Sequence, residues 1–166
     1  GNPTLDAEMS AQYSSPANAA KFLPNVVNSG LSVPVKLYAS SGEKFYKIVA
    51  QGSAFSVYSP YFLTQAVLDS SIANPAYLEQ RLGLPLGSNA ANYDVFTLTS
   101  TMDSNILFQS TIAPITQYAN ATPTLIYPAP GGMTQSLIIN KGVPAQWIRD
   151  TIPSQIIVPN CLPIVE

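Results

Sequence analysis

Fifteen prolines and nine glycines, spread through 166 residues, break this chain into short elements and rule out long uninterrupted helices. Any fold it adopts is assembled from brief strands and helices joined by many turns. The segment from Asp6 to Phe22 can hold a helix, with apolar Met9, Tyr13 and Phe22 and a run of alanines, stopped by Pro24 and the Asn28-Ser29-Gly30 turn. Val33 to Tyr38 and Lys44 to Ala50 are β-branched and aromatic, and Ala39-Ser40-Ser41-Gly42 joins them as a hairpin or as two adjacent strands. Gly52 to Pro60 reads as a loop.

Thr64 to Leu82 is the best helix candidate, with Val67, Leu68 and Ile72 on one face and a break at Asn74-Pro75 before a second short helix carrying Tyr77, Leu78 and Leu82. From Tyr93 the apolar period shortens to two. Tyr93, Val95, Thr97 and Thr99 fall on one face, and Asp94, Phe96 and Leu98 on the other. Ile106 to Ile112, after the Met102-Asp103-Ser104-Asn105 turn, is the expected antiparallel partner. Gln135 to Asn140 reads as a further strand, and Trp147-Ile148 as a final short turn or helix. Arg81 and Arg149 are expected at the ends of helical turns, where a cation meets the last carbonyls. Strands grouped on either side of a helical middle predict an α+β domain: small, mostly antiparallel sheets around a cleft, with helices packed outside.

The length suits one domain, divided into a helical N-terminal segment (1–30), a core (31–150) and a Pro-rich tail (151–166) that wraps the body. Charged residues make up 10% of the chain, against about a quarter in a typical globular domain, so the surface is built largely from Ser, Thr, Asn, Gln and Pro. Such a composition suits secreted or cell-surface material. No apolar run approaches the ~20 residues that span a bilayer, and the first twenty residues lack a signal-peptide core. The expectation is a soluble domain cut from a longer protein that carries any export signal.

Chemistry is narrowed further by what is missing. There is no histidine, which excludes a Ser-His-Asp triad and a histidine-based ribonuclease pair. A single cysteine, Cys161, excludes an internal disulfide framework and a Cys/His zinc site. Net charge is −2 and the seven basic residues are scattered, which argues against a nucleic-acid substrate. Gly131-Gly132 lacks the third glycine and the Lys-Ser/Thr pair of a phosphate loop.

A polar constellation remains. Lys47 lies on a strand in Tyr46-Lys47-Ile48-Val49, and Tyr58-Ser59-Pro60-Tyr61-Phe62 forms an aromatic corner. Phe108 to Pro114 ends a strand, and Pro130-Gly131-Gly132-Met133-Thr134-Gln135 puts a glutamine just after a glycine turn. Taken singly, these are ordinary features: Tyr58 and Tyr61 suit core aromatics, Gly131-Gly132 a plain turn, Lys47 a strand-edge charge.

In combination they resemble the C-terminal toxin domains of bacterial polymorphic and contact-dependent growth inhibition effectors. Within that group the likeness is to the necrotizing-toxin-type NAD glycohydrolases and their ADP-ribosyltransferase-like relatives. It spans roughly Val33 to Ile148 and is carried by Leu84-Pro85 before Tyr93-Asp94-Val95, by Ala113-Pro114, and by the Pro-Gly-Gly-x-x-Gln turn. The resemblance implies an ADP-ribosyltransferase-like fold and a hydrolase toxin, secreted as part of a larger protein. It would act in the target-cell cytoplasm, with NAD as substrate rather than cofactor and a cognate immunity protein as partner.

Carried over by position, Lys47 contacts the NAD pyrophosphate where the family usually places an arginine, whose bidentate grip a lysine cannot copy. Ser59 and Tyr61 pack against the nicotinamide, with Tyr58 beside them in the binding corner. Gly131 and Gly132 let the backbone close over the ligand, and Gln135 orients the ribose. Cleavage of the nicotinamide–ribose bond passes through an oxocarbenium-like state whose leaving group needs no proton, so it does not require histidine. Two other readings stand beside this one: a tRNA-cleaving nuclease toxin of the same delivery class using Lys or Arg, and a non-enzymatic binding or adhesin module.

Overall fold

A computed structural model describes residues 3–52, 59–73, 92–118, 126–129, 131–139, 146–150 and 152–157. Its backbone is one long antiparallel ribbon bent at a corner. β1 (Val35–Ala39) pairs with β5 (Asn105–Thr111), and β2 (Lys44–Ala50) pairs with β4 (Asn92–Ser100). The corner falls where Ala39 faces Asn105 on one side and Lys44 faces Thr99 on the other. Five residues, 100–104, oppose four, 40–43, and such an extra residue bends a ribbon. At the bend Ser100 accepts the Gly42 N–H at 2.7 Å and donates to the Glu43 carbonyl at 2.9 Å, and Ser104 on the longer side has φ +71°. Asn105 locks the bend, donating from its buried amide to Ser100 Oγ and to the Gln146 carbonyl, both at 2.8 Å.

The bend sends the two halves of the ribbon into different sheets, in the strand orders β1-β5-β8-β3 and β10-β4-β2. Here β3 is Tyr61–Phe62, β8 is Thr134–Leu137 and β10 is Ser154–Ile157; β9 (Trp147–Arg149) pairs with β4 beyond the end of β10. A second junction closes the circuit, because Leu63, just after β3, exchanges two backbone hydrogen bonds with Tyr46 of β2, at 2.7 and 2.8 Å. β6 (Ile115–Tyr118) and β7 (Ile126–Ala129) form a separate pair.

Three apolar layers follow. Between the sheets lie Ala39, Phe45, Phe62, Leu98, Leu107, Ile138 and Trp147, with the Trp147 ring edge-on to Phe45 at 6.0 Å. On the outer face of the first sheet, α1 (Pro3–Ser10) and α2 (Pro16–Asn28) bury Met9 and Val26 against Phe108 and Leu137. On the outer face of the second, α3 (Gln65–Ala73) sets Leu68 against Ile48, Tyr93 and Val95. Antiparallel sheets with helices outside are what the sequence predicts for an α+β domain. No helix among the described residues is long and apolar enough to cross a membrane.

Several local expectations are corrected. The helix read over Asp6 to Phe22 is two helices, because Ser15 caps a new one: its hydroxyl accepts from the Asn18 N–H at 3.1 Å, and Pro16 takes the first turn. Pro24 lies inside α2 instead of ending it; Leu23, Val26 and Val27 still pack on the sheet, and the helix runs on to Asn28. β1 and β2 are not a hairpin, nor is β5 the partner of β4; turn length suggested neighbours, and the corner separates them. Trp147-Ile148 is strand, so Arg149 sits on β9 and not at the end of a helical turn. Residues 154–157 of the tail form a strand against β4. α3 ends at Ala73; the proposed second helix at Tyr77 to Leu82, Arg81, Tyr58 and Cys161 lie outside the described residues.

Candidate functional site

Strand alternation assigns each polar residue to one of two faces. On the faces that meet between the sheets, apolar side chains fill the middle, between the buried Ser100–Asn105 pair at the corner and a second polar group toward the other end. β2 runs from Phe45 to Lys47, β4 from Leu98 through Phe96 to Asp94, and β5 from Leu107 to Gln109. Ile138, just after β8, is followed back by Ser136. Lys47 is 7% exposed, Asp94 6% and Ser136 fully buried. Polar groups in such a position cost free energy unless they are hydrogen-bonded.

Lys47 meets that requirement with specific partners. Its ammonium donates to Ser59 Oγ at 2.6 Å and to the Tyr61 carbonyl at 3.0 Å, over the Phe62 ring at 5.1 Å from its centroid. The reading of this lysine as an ordinary strand-edge charge does not hold, since its side chain is buried and its ammonium is engaged by Ser59 and the Tyr61 carbonyl. Gln109 donates to Ser136 Oγ at 3.2 Å. Asp94 is different. One of its oxygens accepts the Gly52 N–H at 2.9 Å, while Oδ1, buried, has no hydrogen-bond partner among the described residues. Asp94 pairs across the ladder with Val49, and Lys47 with Phe96, so cation and carboxylate are diagonal neighbours on one face. In the sequence Asp94 stands out by its place in the alternation and by the Tyr93-Asp94-Val95 stretch that carries the family resemblance; its partial satisfaction is a tertiary fact.

Gln135 lies on the opposite face of β8, under the helices. Its amide nitrogen donates to Ser29 Oγ and Ser110 Oγ, each at 2.9 Å, which uses both of its hydrogens. Ser29 in turn donates to the Val26 carbonyl at 2.6 Å, and its hydroxyl lies beside that of Tyr61. Burial pushes the Tyr61 phenol above its ordinary pKa, with the Ser29 contact opposing. Tyr13 is pushed up to about 12 by burial and by the neighbouring Tyr61, and its hydroxyl has no hydrogen-bond partner. Gly131 has φ +66°, and a Cβ there would collide with the Ile112 carbonyl oxygen; Gly132 donates to that same oxygen at 3.0 Å. The glycine pair therefore closes on the chain's own backbone.

Of the residues predicted from sequence, Lys47, Ser59 and the Tyr61 backbone meet between the sheets. Gln135 and the Tyr61 ring lie on the helix side, the ring centroid also 6.0 Å from the Lys47 ammonium, and Gly131 packs on the Ile112 and Ala113 backbone.

No family model matches the chain, and no curated protein matches it. Among solved structures it is similar to one described as Rhs1-CT in complex with cognate immunity protein RhsI1. The TM-score is 0.50 at 15% sequence identity, over 76% of this chain and 84% of that chain. The two share a fold. Most of the Rhs1-CT chain is spanned, so the likeness extends over nearly a whole domain and is not confined to one sheet. At this identity the Rhs1-CT likeness assigns no site residue, and the site rests on the geometry above.

Proposed function

We propose that the chain is a toxin effector domain, delivered as the C-terminal part of a larger secreted protein and held in check by a dedicated immunity protein. The observation that carries this reading is the shared fold with Rhs1-CT, a domain seen with its cognate immunity protein. The sequence resemblance to polymorphic-toxin C-terminal domains points the same way by a separate route.

For the activity, we propose cleavage of the nicotinamide–ribose bond of NAD by an ADP-ribosyltransferase-like arrangement of the two sheets. Support comes from the polar end of the space between them. A buried lysine held by a hydroxyl and a carbonyl is a fixed positive charge suited to a diphosphate. Ser59 and the Tyr61 backbone set its position. Without histidine, the catalysis available to this chain is placement and electrostatic stabilisation, which glycosidic cleavage with a good leaving group exploits.

Expression in a susceptible cell, following NAD and intact tRNA in parallel, tests the proposal. NAD falling while tRNA stays intact is the expected result. Fragmented tRNA with NAD unchanged would move the reading to a nuclease, and full growth with both intact would move it to a binding module.

A further inference from the structure

We infer that Asp94 is the catalytic carboxylate of this site, an inference that rests on the NAD reading. The residue lies on the inward face of β4, diagonal to Lys47, where the apolar filling between the sheets gives way to polar side chains. It is more than nine-tenths buried. One oxygen is engaged by the Gly52 N–H, and Oδ1 has no hydrogen-bond partner among the described residues. A buried acceptor left without a donor is rare, because desolvating it without compensation is unfavourable; where one persists, a bound ligand or water is a common source of the missing donor.

Anchoring the Gly52 turn accounts for one oxygen only. The arrangement of opposite charges matches what the reaction develops. NAD presents a diphosphate, anionic throughout, joined to a ribose whose C1′ becomes cationic as the bond to nicotinamide breaks. Lys47 meets the first and Asp94 the second. The C1′–N bond breaks with its electron pair leaving on nicotinamide, which departs neutral. A water oxygen then bonds to C1′, and its proton passes to Asp94 Oδ1 and on to solvent, giving ADP-ribose, nicotinamide and one proton. A carboxylate shielded from bulk water is worth more to the oxocarbenium-like state than an exposed one.

The test is nicotinamide release from NAD by the full chain made in a cell-free system, comparing it with Asp94→Asn. Asparagine keeps an oxygen for the Gly52 N–H and nearly the same shape, and replaces the charged acceptor Oδ1 by an uncharged amide NH2. The expected result is a fall of about 10²-fold or more in kcat with KM within threefold and an unchanged melting temperature. A folded Asp94→Asn with a kcat loss under tenfold overturns the inference while leaving the NAD reading intact, because the parent still cleaves. A parent that releases no nicotinamide overturns both. Should Asp94→Asn not fold, Asp94→Ser, whose hydroxyl still accepts a hydrogen bond, is judged by the same limits.

Discussion

The first sheet and its junction with the second hold two polar clusters, one on each face, and they are finished differently. On the helix side, Gln135 spends both amide hydrogens on Ser29 and Ser110, tying the end of α2 to β5 and β8. Between the sheets, Lys47 is held by Ser59 and the Tyr61 carbonyl, yet Asp94 keeps an open acceptor a diagonal step away. Closed donors are what a fold needs to be unique; an acceptor left open is what a ligand needs. The sequence singles out Gln135, whose donors are both spent within the fold, whereas the chemistry proposed above draws on the other face.

The comparison breaks most visibly at Lys47. Lys47→Met keeps the stem and removes the charge, so NAD turnover should fall by 10² to 10³-fold, a loss of roughly 3–4 kcal/mol of transition-state stabilisation. Stability should also fall, by about 1–3 kcal/mol, because the Tyr61 carbonyl and Ser59 Oγ lose their donor. Turnover alongside thermal melting checks both halves.

Gly131→Ala comes next, and it acts on stability. Its new Cβ meets the Ile112 carbonyl oxygen at a positive φ, so a loss of about 2–4 kcal/mol is expected in urea unfolding. Retained stability would mean that the turn has room to spare.

Gln135→Ala is the sharpest discriminator of the two faces. It leaves two serine hydroxyls without their donor and should cost about 1–3 kcal/mol, again read from urea unfolding. A tenfold or greater drop in turnover per folded molecule would bring the helix-side cluster into the site and end the distinction drawn here.

The smallest effect is expected at Tyr13. Its pKa is raised in the folded chain to about 12, from the ordinary 10.0. The neutral phenol therefore favours the fold below pH 10, and this contribution disappears as pH rises from 10 through about 12. Tyr13→Phe also removes a hydroxyl without a hydrogen-bond partner. It should leave stability at neutral pH within about 0.5 kcal/mol and make the alkaline decline shallower, as melting temperatures from pH 7 to 12 would reveal.

Much of the local structure was legible. Alternation from Tyr93 placed Asp94, Phe96 and Leu98 on one face, where the structure has them, and β-branched runs marked β1, β2 and β5. The two-residue β3 carried no periodicity to detect, although Leu63 beside it closes the circuit between the sheets. Ser15-Pro16 held a legible helix start that the alanine run obscured.

By itself, then, the sequence determined an α+β domain of short elements, a chemistry without histidine, and Lys47 with Ser59 as residues of interest. Only the tertiary structure decided which strands are partners and which polar residues face one another. Pairing between strands far apart in the chain depends on where the backbone turns, and the extra residue at the bend sends each ribbon strand into two sheets. Whether a buried polar group is satisfied depends on atoms far away in sequence: Ser29 and Ser110 for Gln135 and, among the described residues, Gly52 alone for Asp94. No pattern along the chain encodes that difference, because it is a property of the assembled interior.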